Sequence, residues 1–347
     1  MPARRILWAS LALAPVTIAV ELFFHVGDVT IFVLAAVALI PLAWLIGEAT
    51  EQAAHHTGAG IGGFLNATFG NAPELIIALF AVNEAKFEVV RGSLSGSVVG
   101  NLLLVLGFSL IFGGRGSLDR ESTFTSLVLV ALATLVFLLP SIPSWDGDPE
   151  RDSLALLSLP VSIVLLLVYV GVTWLALRRH HQMHITEEPG HFQAWPLGMA
   201  LGVLAAATVV TGFVAETLVH SLEVFAEDLG LTEFFVAAVI VAIVGNAAEH
   251  GGAVVVAYGG NLKLAAEIAL ASSAQVAVFL IPAVALLSWL IEPLALSFRP
   301  VEIGVLGGSV IFTSALLFRG HSSRWRGVTL ILAYILAAIA FLLAGDR

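Results

Sequence analysis

Two short segments of the sequence place an amide and a carboxylate in the middle of long apolar runs. The first, at 70–74, reads GNAPE, and the second, at 245–249, reads GNAAE, so that Gly, Asn, Ala and Glu recur 175 residues later. A carboxylate at the centre of a membrane span costs about 2.5–3.5 kcal/mol on insertion scales. Two such residues at equivalent positions therefore indicate a function.

The chemistry of the two segments points to exchange between a cation and protons. Glu74 and Glu249 have no Lys or Arg in their own apolar runs, which leaves protons or a bound cation as partners. Because burial penalises a charged carboxyl group, each acid is expected to hold a proton until a cation displaces it. Asn71 and Asn246 precede the acids by three residues and are expected on the same helical face. These four residues form the predicted metal site, whose oxygens suit Ca²⁺, with about six to eight flexible ligands, better than Mg²⁺.

Small polar residues follow each motif in the next apolar run. The Gly-Ser pair ending at Ser97 and the Ser-Ser pair ending at Ser273 lie 176 residues apart, which extends the repeat. Such residues could line the cavity or relay protons, although packing between helices is an alternative role for each serine. The predicted transport and proton-coupling residues are Glu74, Glu249, Asn71, Asn246, Ser97, Ser273, Gln275 and Asn101.

Other titratable residues lie near the ends of the apolar runs that precede the motifs. Glu48, Glu51 and His55 fall on one helical face, which could form an entry for protons or a weak metal site. A solvated helix end is the alternative for such residues, and a packed neutral histidine is the alternative for His250. The predicted access-path residues are Glu48, Glu51, Glu216, Glu223 and His250.

The elements that must position these residues are membrane spans. Of 347 residues, 59% are hydrophobic and 12% are charged, whereas soluble domains have about 45–50% apolar and about 25% charged residues. The absence of cysteine excludes disulfides and thiolate sites. With 15 Lys and Arg against 25 Asp and Glu, the chain has no basic surface for nucleic acid. The composition therefore predicts an integral membrane protein.

Eleven apolar runs are long enough to cross a bilayer, which needs about 20 residues each. Their approximate limits are 5–25, 30–50, 60–82, 93–113, 122–139, 154–177, 195–222, 232–258, 264–289, 301–318 and 328–344. The predicted fold is an all-α polytopic membrane protein with a first helix (1–29), a first half (30–177, helices 2–6), a polar connector (178–194) and a second half (195–347, helices 7–11). Because five spans separate the motifs, the halves form an inverted repeat with a site near the midplane.

The distribution of basic residues predicts the orientation. With the N-terminus in the cytoplasm, ten Lys and Arg fall on inner loops and five on outer loops, which favours this orientation and an external C-terminus. The five outer residues are Lys86, Arg91, Arg151, Arg299 and Arg347. The first apolar run continues through Phe24, which favours an uncleaved span over a cleavable signal peptide.

The two motifs closely resemble those of the calcium/proton antiporter (cation exchanger) family of the calcium/cation antiporter superfamily. Besides 70–75 and 245–250, the resemblance takes in 41–51, 65–69, 96–107, 215–223 and 272–275, in order. It implies a first helix plus two inverted five-helix bundles. It also implies that Glu74 and Glu249 bind calcium and protons alternately, that Asn71, Asn246 and facing Ser and Gln residues line the site, and that the family's first and sixth spans slide to alternate access.

The expected function is secondary active transport that exchanges cytosolic calcium for protons, without a cofactor and without an enzymatic reaction. Calcium is the transported substrate, and the expected partners are calcium, protons and the bilayer, but no nucleic acid. The sequence leaves open whether the chain forms a homo-oligomer. Both termini are short and the connector holds only two acids, so a prokaryotic inner membrane is favoured over a vacuolar membrane.

Three alternatives remain at this stage. A sodium- or potassium-coupled exchanger is the first, although sodium-coupled relatives generally carry serine-rich versions of the motif. An intramembrane metal enzyme built on His55 and His56 lacks the His-Glu-x-x-His pattern. A channel would not require paired buried acids in inverted halves.

Overall fold

The protein is a bundle of α-helices in a computed structural model that describes residues 2–24, 26–182 and 195–345. The first half contains α1 (Pro2–Ser10), α2 (Leu13–Phe23), α3 (Asp28–Phe69), α4 (Ala72–Asn83), α5 (Phe87–Val99), α6 (Leu106–Gly113), α7 (Arg120–Ser141) and α8 (Asp152–Gln182). The second contains α9 (Leu197–Asp228), α10 (Glu233–Phe235), α11 (Ala242–Gly245), α12 (Ala247–Tyr258), α13 (Leu262–Gln275), α14 (Ile281–Leu287), α15 (Pro300–Leu317) and α16 (Arg324–Ala344).

The all-α membrane architecture predicted from the sequence is confirmed. In the described part of the chain, nine helices are long and apolar enough to cross a membrane, or ten if one bent pair counts as a single span. The predicted count of eleven also includes 60–82, which is not one helix here. The predicted connector 178–194 lies outside the described residues except for its beginning, which continues α8.

The predicted third span is divided between two helices because the chain breaks at the first motif. Its first part continues α3, and α4 begins at Ala72 after the break at Gly70 and Asn71. A straight helix would separate Gly47 from Gly70 by about 35 Å, yet both residues line the same cavity. The C-terminal part of α3 therefore returns towards its middle, and α3 contains the second span together with the start of the third.

The second motif also interrupts its helix. A π-helical segment, Val236–Val241, joins α10 to α11, and the helix then bends by 58° before α12. The bend lies at Asn246, whose backbone φ of −91° and ψ of 6° leave the helical region. The equivalent residue Asn71 has a φ of −99° and a ψ of 16°. Both copies of the motif therefore end one helix and start another inside the bundle.

Two equivalent helices form the centre of the bundle. The run from Phe87 to Gly113 contains the π-helical segment Gly100–Val105, and the run from Leu262 to Leu290 contains the π-helical segment Val276–Leu280. The most apolar windows of these two runs are 83% and 67% buried, against 11% for the first span. Since the π segments lie 176 residues apart, the repeat extends to the local backbone geometry of the central helices.

Glycines bring the two halves into direct backbone contact. A Cβ on Gly96 of α5 would lie 2.0 Å from the Ala238 carbonyl oxygen, and a Cβ on Gly92 would lie 2.8 Å from that of Phe234. Small residues at a spacing of four allow helices in a membrane to approach this closely. The contact fixes the central helix of the first half against the motif-bearing helix of the second.

Two basic residues counted on the outer side are buried in ion pairs. Arg91 is only 1% exposed, and its Nη2 lies 2.7 Å from carboxylate oxygens of both Glu88 and Glu150. Arg299 pairs with Glu302, with Nε and Oε2 separated by 3.4 Å. These two arginines are therefore structural charges within the bundle and do not act as free loop charges.

Three tryptophans pack together where α1, α3 and the start of α9 meet. Trp8 lies 5.4 Å from Trp44 and 6.2 Å from Trp195, measured between ring centroids. The backbone of Trp195 is held by two side chains of α3: Gln52 Oε1 accepts from its N–H at 3.0 Å, and His56 Nε2 lies 2.7 Å from its carbonyl oxygen. The start of α9 is therefore attached to α3.

Candidate cation-binding site

The carboxyl group of Glu74 reaches across to the second half of the protein. Glu74 lies in the first turn of α4 and is 7% exposed. A Cβ placed on Gly245 would lie 3.2 Å from Glu74 Cγ and 3.6 Å from its Cδ, so the carboxyl group packs on the second motif. Its buried Oε2 has no hydrogen-bond partner among the described residues. The first acid therefore presents an unsatisfied oxygen next to the second motif.

Glu249 occupies the equivalent position in the first turn of α12, in a different environment. It is half-buried, and its Oε2 accepts a short hydrogen bond from Ser272 Oγ of α13. The two carboxyl groups are close enough to repel each other electrostatically. No Lys or Arg pairs with either acid among the described residues. The structure therefore brings both predicted acids to one place without a protein cation to balance them.

The two amides link the halves. Asn246 Nδ2 donates to Ser97 Oγ of α5 at 2.9 Å and to the Ala242 carbonyl oxygen at 2.9 Å. Asn71 Nδ2 lies 3.4 Å from Gln275 Oε1 of α13. Each asparagine is thus bound by the central helix of the opposite half. Both are fully enclosed, with 0% exposure for Asn71 and 1% for Asn246.

The expected placement of the asparagines on the same helical face as the acids is wrong. Asn71 and Asn246 precede the first residues of α4 and α12, so neither belongs to the helix that carries its acid. Glycine before each asparagine and proline at the start of α4 favour this break. The amide of Asn246 also contributes its Oδ1 to Asn101, so both ends of that amide have protein partners.

The remaining polar residues of the central helices join the same network. Asn101 Nδ2 donates to Ser272 Oγ at 3.0 Å and lies 3.4 Å from Asn246 Oδ1. Ser97 Oγ donates to the Ser93 carbonyl oxygen. Ser273 Oγ instead bonds backbone carbonyl oxygens of Ala269 and Val98, without contact to either acid. Ser97, Asn101 and Gln275 therefore lie in the predicted network, whereas Ser273 has a packing role.

Sequence reasoning paired Ser272 with a glycine and did not include it among the site residues. In the structure it connects Glu249 to Asn101 and is 4% exposed. Its neighbour Ser273 matches Ser97 in the repeat, and this match favoured the wrong serine. The signal that could have identified Ser272 is helical geometry, because Ser272 and Gln275 lie three residues apart on one face of α13.

A cavity connects the second acid to one end of the bundle. This central cavity has a volume of about 450 Å³, and Glu48 accepts a hydrogen bond from Gln52 near it. Glu51 is exposed at the same face of α3. The predicted access acids Glu48 and Glu51 therefore lie on a path to Glu249. The lining residues are Ala43, Trp44, Gly47, Glu48, Glu51, Ala54, Gly70, Gly245, Ala248 and Glu249.

The other predicted access residues do not line this cavity. Glu216 and Glu223 are exposed on the second half of α9. Glu223 Oε2 pairs with Lys86 Nζ at 3.1 Å, near the end of the bundle opposite to Glu48. His250 is half-buried beside Glu249, and its Nε2 has no hydrogen-bond partner among the described residues. Of the five predicted access residues, only Glu48 and Glu51 line the central cavity.

The donor set of the site is oxygen-rich and has few charges. No group of three or more His, Asp or Glu side chains in the described ranges is arranged to hold a metal ion. A cation between Glu74 and Glu249 would therefore need hydroxyl, amide or backbone oxygens besides the two carboxylates. Such a mixed oxygen set, with two negative charges and flexible geometry, is compatible with Ca²⁺.

Comparison with known proteins identifies the family. The family model described as sodium/calcium exchanger protein matches residues 28–178 and 199–343. The chain is 36% identical to the Ca²⁺/H⁺ antiporter ChaA of Bacillus subtilis over 335 residues, covering 92% of this chain and 93% of that protein. It is 35% identical to the Ca²⁺/H⁺ antiporter of Aphanothece halophytica over 347 residues, covering 92% and 91%.

A solved structure supports the same relationship. The structure of native YfkE superimposes with a TM-score of 0.84 at 34% identity, covering 97% of this chain and 99% of that chain. The match extends over both acidic motifs and all the helices that carry the site residues. The chain therefore belongs to the sodium/calcium exchanger protein family.

Proposed function

We propose that the protein is a secondary active transporter that exchanges cytosolic calcium for protons by alternating access. The observation that carries the proposal is the meeting of Glu74 and Glu249, from halves that run in opposite directions, in one buried polar network. The relatives described above are named as Ca²⁺/H⁺ antiporters, which supports calcium and protons as the exchanged ions.

In this proposal the two carboxyl groups bind calcium and protons competitively. Two carboxylates neutralise one divalent cation, whereas in its absence they repel each other and lack protein cations. Protons then relieve the repulsion, because a neutral carboxyl group is less costly to bury than a charged one. Asn71 and Asn246 would contribute amide oxygens or hold the helix starts in place. The energy comes from the ion gradients, without a cofactor or a covalent step.

The arrangement in the membrane is also proposed. The two matched ranges support a division into halves 30–177 and 195–347, preceded by a first helix at 1–29. The balance of basic loop residues supports a cytoplasmic N-terminus and an external C-terminus. The central cavity would then open to the cytoplasm. The bacterial relatives support placement in a prokaryotic inner membrane.

The test is proton-driven uptake of radioactive calcium into everted membrane vesicles. Glu74→Gln and Glu249→Gln keep the side-chain shape but cannot carry the negative charge, so each is expected to abolish uptake. Glu292→Gln, at an exposed position between α14 and α15, is the matched control and is expected to transport at the native rate. Thermal unfolding of the purified variants checks that they are folded.

Two results would contradict the proposal. A folded Glu74→Gln or Glu249→Gln variant that transports at the native rate would show that this acid is not a ligand. Uptake that requires a sodium gradient and ignores a pH gradient would instead favour sodium coupling. Calcium flux that persists in the absence of any counter-ion gradient, with no exchange, would indicate a channel.

A further inference from the structure

A second cavity, separate from the central cavity, approaches the site between α7, α8 and α13. This lateral crevice has a volume of about 690 Å³, and its rim carries Asp119, Glu121, Lys263 and Glu267. Lys263 Nζ pairs with Asp119 at 2.9 Å. The Lys263 ammonium and the Ser122 backbone N–H hold the pKa of Asp119 below its usual value. The rim therefore carries a charged ion pair and two further acids at neutral pH.

Both cavities open at the same end of the bundle. Two crossings separate the start of α7 from the start of α9, and two more separate α9 from α13, so these helices begin at one end. Trp195, just before α9, is bound by Gln52 of α3, one residue beyond Glu51 at the central cavity. The acids of the rim and those of the central cavity therefore face the same compartment.

The wall of the lateral crevice differs from that of the central cavity. Between the rim and the inner end it presents the hydroxyl groups of Ser126 and Thr173 among apolar side chains such as Leu129 and Val278. Tyr169, also in the wall, is hydrogen-bonded to Thr173. A hydrated calcium ion needs oxygen ligands, above all carboxylates, to replace its water. The wall offers none below the rim, but hydroxyl groups and water are sufficient to pass a proton.

The inner end of the lateral crevice is Gln275, which contacts the first motif. Gln275 Oε1 lies 3.4 Å from Asn71 Nδ2, and Asn71 immediately precedes α4, which carries Glu74. Glu74 does not line the central cavity, whereas Glu249 does. The two acids are therefore approached from the same end of the bundle by different routes.

An equivalent crevice in the other half lacks the polar wall. It lies between α15, α16 and the π segment Gly100–Val105, with a volume of about 510 Å³. Leu103 and Val305 line it at positions that match Val278 and Leu129 in the repeat. Its lining includes no Asp, Glu, Lys or Arg. The shape therefore follows from the duplication, but the acidic rim and the polar inner end occur in only one copy.

We propose that the lateral crevice is a route for protons between the cytoplasm and the Glu74 side of the site, while calcium uses the central cavity. This inference rests on the proposed exchange of calcium for protons. The proton leaves Glu74, passes the Asn71 and Gln275 region through water, and reaches the acids of the rim. Glu121 and Glu267 then act as the local proton acceptors.

The experiment compares two transport modes in reconstituted vesicles. Proton-driven calcium uptake requires both ions, whereas exchange of radioactive for unlabelled calcium requires no net proton movement. Ala271→Phe places a ring in the lateral crevice at an exposed position of its lining. It is expected to lower proton-driven uptake about tenfold, with calcium/calcium exchange unchanged. Gly308→Phe, in the apolar crevice where nothing lies within 4 Å of a built Cβ, is the control and is expected to preserve both modes.

A second variant avoids dependence on the fit of the ring. Ser126→Ala combined with Thr173→Val removes hydroxyl groups with little change in volume and is expected to lower only the proton-driven mode. Equal proton-driven rates in the native protein and both variants would overturn the inference, as would a parallel fall of both modes. Absence of proton-driven uptake in the native protein would instead refute the proposed function, before any variant is compared.

Discussion

The two copies of the acidic motif share their chemistry but differ in their exposure to water. Glu74 is packed on Gly245 with one oxygen unsatisfied, and it lies outside the central cavity. Glu249 accepts a hydrogen bond from Ser272 and lines that cavity. The difference shows that a duplicated sequence does not impose two identical environments. The position of α3 determines which acid is accessible.

The inequality of the two acids follows from the direction of the halves. Because they are inverted, one end of the bundle is open near Glu249, while at the opposite end Lys86 pairs with Glu223. Glu223 matches Glu48 in the repeat, so the same acid position lines a cavity at one end and forms an ion pair at the other. Exchanging the conformations of the halves would make Glu74 the accessible acid.

The largest expected effect tests the close packing of Glu74. Gly245→Val introduces a Cβ about 3.2 Å from Glu74 Cγ, which must displace the carboxyl group. A shift of about 1 Å can cost about a hundredfold in rate, and we expect a loss of that order in proton-driven uptake. Gly252→Val, where nothing lies within 4 Å of a built Cβ, is the matched control in the same helix. Equal rates for the two valine variants would show that packing on Gly245 is irrelevant.

A smaller effect measures the difference in accessibility directly. The native chain has no cysteine, so Glu74→Cys and Glu249→Cys each create a single thiol. We expect a membrane-impermeant thiol reagent, added at the end that bears Glu51, to modify position 249 at least about tenfold faster than position 74. Glu51→Cys provides the fully accessible reference. Similar rates at 74 and 249 would remove the distinction between the two acids.

The hydrogen bond to Glu249 provides a finer comparison. Ser272→Ala removes the donor to the carboxylate and the acceptor for Asn101 Nδ2. One such bond contributes about 1 kcal/mol, and we expect the KM for calcium to change about fivefold. Ser97→Ala, which removes a partner of Asn246 but touches neither acid, is expected to change it less. A larger effect at Ser97 would place the ion nearer to α5 than to α13.

The smallest expected effects concern the amides. Asn71→Ala and Asn246→Ala each remove one amide and leave both carboxylates in place, so we expect a loss of about threefold in transport rate. Calcium uptake at saturating calcium, compared with uptake at low calcium, separates weaker binding from slower turnover. Complete loss of transport in either folded variant would assign that amide a role equal to that of the acids.

The sequence was sufficient to predict which side chains meet, but not how the backbone holds them. The constant spacing of the two motifs predicted that Glu74 and Glu249 lie in one membrane-embedded site between inverted halves. Asn101 and Gln275 were also predicted, since they are polar residues in apolar helices. Their environments were not predictable, because they depend on contacts between residues far apart in the chain.

The errors have physical causes. The i, i+3 spacing of Asn71 and Glu74 assumes an uninterrupted helix, whereas both motifs break their helices before the acid. The π segments at Gly100–Val105 and Val276–Leu280 have no distinctive composition and follow from packing at the centre of the bundle. Arg91 was counted as a loop charge, although Glu150, from a distant loop, buries it in an ion pair.

The tryptophan cluster described above has a use in spectroscopy. Trp44 lines the central cavity, while Trp8 and Trp195 place α1 and the start of α9 within a few ångströms of it. Indole emission depends on the polarity of its surroundings and on neighbouring rings. The protein therefore carries an intrinsic fluorophore at the mouth of the cavity, and a rearrangement of these helices during turnover would be visible without an added label.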